Sequence, residues 1–253
     1  MTWFITALIA VVITVFVYIG SRPVRIPREP DREGIGDEEA LRAYDRVSRW
    51  PIFGYERRIV LKALSTLNLR GTLVDIGCGP GYLAARIERE FPGLRVIGLD
   101  NDDQILRIAV KNWTPRSYPD MTFLAGDVHR LPFGDNSLDC VVASLSFHHW
   151  TDAQTGLREI HRVLKPGGHL VIMDMRRDGW RFFYWALVVG EALVEPAPLR
   201  RINGAVGSFW SSYTTAEVES LLGSLEWQDV SIKESWGWFV ARCQKLTGKT
   251  EKQ

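Results

Sequence analysis

A cluster of glycines between an apolar strand and a helix is where this 253-residue sequence first offers chemistry. Thr72–Ile76 is short and apolar, and Gly77-Cys78-Gly79-Pro80-Gly81 follows it. Tyr82–Phe91 then places Leu83, Ile87 and Phe91 on one helical face. Glycines let the backbone turn sharply and let a ligand approach with no Cβ in the way. The helix start beyond them presents unpaired N–H groups. The next strand, Arg95–Leu99, ends in Asp100, and a carboxylate there can accept two hydrogen bonds from a ribose diol. The spacing is G-x-G-x-G with Asp75 just before it, whereas a dinucleotide fingerprint needs G-x-G-x-x-G. That disfavours a nicotinamide oxidoreductase and leaves other adenosine cofactors.

VDIGCGPG at 74–81 resembles motif I of class I S-adenosylmethionine-dependent methyltransferases. LDND at 99–102 looks like the ribose-binding end of their second strand. GDVHRLPF at 126–133 looks like the adenine-binding segment of the small-molecule branch typified by ubiquinone and menaquinone biosynthesis (type 11). LDCVVASLSFHHW at 138–150 and LREIHRVLKPGGHLVIMDM at 157–175 look like their fourth strand, next helix and fifth strand. The similarity covers about residues 40–175 and continues weakly through SYTTAEVESLL at 212–222. It implies S-adenosylmethionine as cofactor, and it implies roles for particular residues. Gly77, Gly79 and Gly81 would line the turn beside the methionine part, and Asp75 would orient that turn and reach the amino group. Asp100 would hold the ribose. Asp127 would accept from the adenine amine, with the Val128 N–H nearby. Cys78, Asn101, Gly126 and Ser144 lie in the same segments and complete the cofactor-binding candidates. The resemblance also implies an α/β fold, a Rossmann-like seven-stranded and mostly parallel sheet.

Methyl transfer asks the protein to hold an acceptor in line and exclude water. A base is needed only where the acceptor must lose a proton. His148 and His149, followed by Trp150, sit after the fourth strand, where open α/β sheets bind ligands. Either histidine could be that base, or the group could simply pack or cap the helix at Asp152. His129, His161 and His169 read as structural. Asp/Asn-Pro-Pro-Tyr is absent at this place, which argues against methylation of adenine or glutamine amino groups.

The elements around these residues divide the chain into an anchor (1–21), a linker (22–40), a methyltransferase domain (41–245) and a polar tail (246–253). Met1–Ser21 carries no charged side chain. Its first twenty residues would form a helix about 30 Å long, the thickness of a bilayer core. Arg22, Arg25 and Arg28 follow at once, so one retained transmembrane helix is expected, with the domain facing the cytoplasm. The alternatives are a cleaved signal peptide, which normally opens with basic residues, and a buried core helix, which would show a polar face. Pro23, Pro27 and Pro30 make the linker an extended spacer. Helices are expected from Asp37 and over 56–68, and Glu226–Lys233 and Ser235–Cys243 read as a final antiparallel pair. Phe182–Gly190 is apolar but too short to span a bilayer. Residues 178–201 suit a membrane contact, a lid over a bulky substrate, or an ordinary amphipathic helix.

Thirty-one basic against 30 acidic side chains give a net charge of +1, with no sequence-wide field for nucleic acid. Cys78, Cys140 and Cys243 are too scattered for a disulfide framework or a zinc site, and no metal is expected. An anchored enzyme with an aromatic segment points to a small acceptor of lipid or quinone type. A soluble or protein acceptor, and a cofactor-binding module without activity, are the alternatives.

Overall fold

Alternation along short apolar strands builds the sheet. The computed structural model describes residues 3, 6, 11, 14, 15, 17–30, 37–114, 116–202 and 204–247. Strand β1 is Gly71–Ile76, β2 Leu94–Asp100, β3 Met121–Ala125, β4 Leu138–Ser144 and β5 Leu164–Met175. Along β4, Val141 and Ala143 enter one core while Cys140 and Val142 enter the other. Along β5, Leu170 and Ile172 oppose Val171 and Met173 in the same way. A strand apolar on both faces must be covered on both.

Helices supply that cover. Glu38–Val47 is α1, Pro51–Leu64 α2, Tyr82–Glu90 α3, Asp103–Asn112 α4 and Ala153–Val163 α5. Arg181–Leu193 is α6, Ala197–Arg200 α7, Gly204–Ser211 α8 and Thr215–Gly223 α9. Val60 and Leu64 of α2 join Leu83 and Ile87 of α3 on one side of the sheet. Leu157 and Ile160 of α5 join Val218 and Leu222 of α9 on the other. The last strands are Trp227–Glu234 (β6) and Trp238–Lys245 (β7).

The seven strands run β3-β2-β1-β4-β5-β7-β6. Only β7 is antiparallel, to β5 and to β6. This is the expected seven-stranded, mostly parallel sheet, with the expected terminal pair. The strand order reverses between β1 and β4, which leaves a crevice at their carboxyl ends. Helix α2 begins at Pro51, five residues before the expected start, because proline presets the first helical φ and lacks an N–H that would have no partner there.

The expected anchor falls largely outside the described residues. Those described, Trp3, Thr6, Val11, Thr14, Val15 and Val17–Gly20, are helical. Trp3, Val11, Val15, Val17, Tyr18 and Ile19 are exposed. Among the described residues, no helix is long and apolar enough to cross a membrane.

Residues 22–30 form no helix, and they lie against the domain rather than apart from it. Val24 N–H donates to the Gly179 carbonyl at 2.9 Å, and Arg181 N–H donates to the Arg22 carbonyl at 2.9 Å. Val24 is buried. Arg177 donates to the Ile26 carbonyl. Arg28 donates through Nε to the Ser211 carbonyl (2.7 Å), and its guanidinium stacks 4.0 Å from the Tyr213 ring centre.

Candidate active site

The turn after β1 passes so close to the turn after β4 that glycine is required at Gly77. Its φ is +68°, and a Cβ there would lie 2.4 Å from the Ser146 Cβ. Ser146 Oγ ties the two turns by donating to the Ile76 carbonyl at 2.8 Å. Gly79 also has positive φ, and its N–H donates to Asp100 Oδ2 at 2.8 Å. Asp100 Oδ1 accepts from Asp102 N–H at 3.1 Å. The carboxylate is thus fixed between two turns and keeps lone pairs for further donors. Burial raises its pKa.

Asp75 lies beneath the same turn and is 1% exposed. It accepts from the Ala84 N–H in the first turn of α3, one of the donors a helix start leaves unpaired. Its Oδ2 has no partner among the described residues. Burial, then the charge of Asp100, raises its pKa to about 8. A buried, unsatisfied carboxyl oxygen of this kind suits a cationic donor.

Nine candidates line one cavity of about 980 Å³: Gly77, Gly79, Asp100, Asn101, Gly126, Asp127, Val128, His148 and His149. Asp75, Cys78 and Ser144 line a smaller adjoining one, shared with Gly77. Gly81 lines neither. It starts α3 with φ +80°, and a Cβ there would lie 2.6 Å from Phe123, so its role is packing. Asp127 Oδ1 is already engaged by His129, through the backbone N–H (2.8 Å) and Nδ1 (2.6 Å). His129 Nε2 accepts from Asp152 N–H at 3.1 Å, so Nδ1 carries the proton. His129 is thus a brace between the β3 loop and α5.

Beyond the glycine turn the cavity becomes apolar, with Leu41, Phe53, Phe183, Leu187, Val194 and Leu199 in its wall. His148 reaches it from the short turn Phe147–His149 and is 2% exposed. Its Nδ1 lies 2.7 Å from Asp174 Oδ1, and its backbone N–H donates to Asp174 Oδ2 at 3.0 Å. Asp174, itself 1% exposed, ends β5 and also accepts from Met175 N–H. A carboxylate at Nδ1 sets the tautomer, so Nε2 bears the lone pair. Nε2 is buried with no partner among the described residues. The His149 ring lies 4.0 Å away, and burial, then His148, holds its pKa well below the usual value. Glu56 from α2 also lines the cavity, and its Oε2 has no partner among the described residues. Burial raises its pKa to about 8.

A family model for a methyltransferase domain matches residues 74–172, which run from within β1 through most of β5. Over these residues the chain is similar to class I S-adenosylmethionine-dependent methyltransferases of the type 11 branch. The chain is 35% identical, over 135 residues, to demethylmenaquinone methyltransferase of Thermotoga maritima. That match covers 52% of this chain and 56% of the relative. The malonyl-[acyl-carrier protein] O-methyltransferase 1 of Coxiella burnetii is 31% identical over 158 residues, covering 62% of this chain and 52% of that one. The chain therefore spans little more than half the length of these relatives. A solved S-adenosylmethionine-dependent methyltransferase from Aquifex aeolicus superposes with a TM-score of 0.61 at 19% identity. It covers 83% of this chain and 99% of its own, which establishes the fold.

The residues present fit S-adenosylmethionine. Asp75 Oδ2 is an unmet acceptor for an ammonium group, Asp100 has capacity for hydroxyl donors, and Gly77 and Gly79 leave the backbone bare. Among the described residues no group of three His, Cys, Asp or Glu could hold a metal ion. The sequence reading missed Asp174 and Glu56. Asp174 had a signal, an acid at the carboxyl end of an otherwise apolar strand. Glu56 had none, because one acid in an amphipathic helix reads as solvent-facing.

Proposed function

We propose that this chain methylates a small, apolar, membrane-dissolved acceptor of lipid or quinone type, and that His148 removes the acceptor's proton. The observation that carries this is the buried, unpartnered Nε2 of His148, a residue that is oriented by Asp174 and lines a largely apolar cavity. When bound, S-adenosylmethionine supplies an activated methyl group on a sulfonium. Asp75 and the Gly77–Gly79 backbone hold its methionine end, Asp100 its ribose, and Asp127 with Val128 its base. His148 Nε2 takes the proton as the acceptor becomes nucleophilic, and Asp174 stabilises the resulting imidazolium. Leu41, Phe53 and Leu187 exclude water and favour an apolar substrate.

Met1–Ser21 serves in this reading as a single-pass anchor, with the domain in the cytoplasm. The exposed Arg22 and Arg25 follow it on that side. An anchor raises the local concentration of a lipid acceptor. The relatives named for demethylmenaquinone and for a malonyl carrier lend support to a small acyl or quinone acceptor.

The test is to supply membrane extract and methyl-labelled cofactor to the full chain, with His148→Gln beside it. Label should enter an organic-soluble product, and His148→Gln should lower turnover by about 10²–10⁴-fold with cofactor affinity unchanged by calorimetry. Label appearing only in water-soluble or protein product would remove the lipid reading. Absence of cofactor binding at millimolar concentration would remove the whole assignment.

A further inference from the structure

Helix α6 is apolar on two opposite faces, and the protein covers only one. Phe183 and Leu187 face the cavity. Phe182, Trp185, Val189 and Leu193, spaced to form one stripe, are 53%, 60%, 53% and 78% exposed. No residue of α6 is fully buried. A water-facing helix seldom carries such a stripe, and one apolar all round belongs in a core or a membrane. At about 20 Å it is too short to cross a bilayer.

Its position says what covers it. Helix α6 begins where the uncharged N-terminal segment ends. Arg181 N–H donates to the Arg22 carbonyl, and Pro23 bridges to Trp180. A Cβ on Gly20 would lie 3.5 Å from Phe182 Cβ, so the end of the N-terminal helix abuts the start of the stripe. Arg22, Arg25, Arg181 and Arg200 are exposed around it. The acid within α6, Glu191, lines the cavity instead and accepts from Val206 N–H at 2.8 Å. Exposed apolar side chains rimmed by arginine complement an anionic lipid surface.

We propose that α6 lies in the plane of the bilayer interface, with its outer stripe among the acyl chains. The α6 wall of the cavity is then the membrane-side wall, and the acceptor enters laterally from the lipid. This rests on the anchor of the preceding reading and adds to it a docked orientation and an entry route.

Cys78, Cys140 and Cys243 are all buried, so an introduced surface cysteine can be labelled selectively. Full-length Val189→Cys and Leu193→Cys would carry a polarity-sensitive fluorophore in vesicles of phosphatidylethanolamine and phosphatidylglycerol. Val15→Cys reports on the anchor. Arg89→Cys, near the end of α3 farthest from the glycine turn, is the water-facing control. The labels at 189 and 193 should shift to the blue, lose most of their iodide quenching and be quenched by lipids with shallow nitroxides. The label at 89 should do none of these. Iodide quenching at 189 and 193 equal to that at 89 overturns the proposal. If 15 is still shielded, the anchor stands and only the docking of α6 fails. Shielding from iodide without lipid quenching means that protein covers the stripe, a second copy included, and also overturns it. No readout involves turnover, so failure here leaves the methyl-transfer reading intact.

Discussion

Replacing Asp75 by asparagine should make the protein more stable and less able to bind its cofactor. The carboxyl is 1% exposed, and its pKa moves from 3.8 to about 8 because burial disfavours the ionised form. The folded chain therefore keeps a proton that the unfolded chain has released. The contribution of this group is intact below about pH 4 and is lost as pH rises toward about 8, at ~1.4 kcal/mol per pH unit. By about pH 7 the loss amounts to roughly 2–4 kcal/mol. Asparagine keeps an acceptor for the Ala84 N–H and never ionises, while its unpaired amide replaces an unpaired hydroxyl. Urea unfolding of both proteins in the same detergent should show Asp75→Asn ahead by about 2–4 kcal/mol near pH 7 and by less than about 1 kcal/mol near pH 4. Calorimetry should show weakened cofactor binding. A stability difference that does not grow with pH would refute the reasoning, because only an ionising carboxyl produces the slope.

Three other substitutions test the remaining geometry. Asp100→Ala strands the N–H groups of Gly79 and Asp102, so stability should fall by about 1–3 kcal/mol and calorimetry should detect no cofactor binding. Gly77→Ala combines a φ of +68° with a Cβ only 2.4 Å from Ser146, so the two turns must separate. Its circular dichroism should stay native-like while cofactor affinity is lost. Arg28→Met removes donors to the Ser211 and His148 carbonyls and the stack on Tyr213. It should lower stability by about 1–3 kcal/mol and lower turnover while cofactor affinity is retained.

Much of the fold was legible because its strands are buried on both faces and read as continuous apolar runs. The glycine turn and Asp100 were legible because positive φ and a strand-end acid leave strong local marks. The partner of His148 was less so. Asp174 stands 26 residues away in sequence, and only the pairing of β4 with β5 brings the two together. Residues 22–30 were read as a spacer, and their docking against the domain was not legible. Every one of these hydrogen bonds uses a backbone group on at least one side, such as the Ser211 carbonyl 183 residues from Arg28, and a backbone group leaves no trace in sequence. Gly81 shows the converse. A motif glycine next to the site is conformationally required, yet what it makes room for is the aromatic packing of Phe123 and Trp113.

The bonds along residues 22–28 make this segment part of the structure that holds His148. Arg22 and Val24 are paired to the entrance of α6, Ile26 to Arg177, and Arg28 to the carbonyl of His148 itself. The length of this segment is therefore not adjustable. One residue inserted between Val24 and Arg28 would shift the register of every contact downstream and pull the guanidinium from the histidine. A segment borrowed from another protein in place of residues 1–20 would have to rejoin this chain no later than Ser21 to keep these contacts. Grafting of that kind, routine where a linker is merely slack, here becomes an alteration of the enzyme.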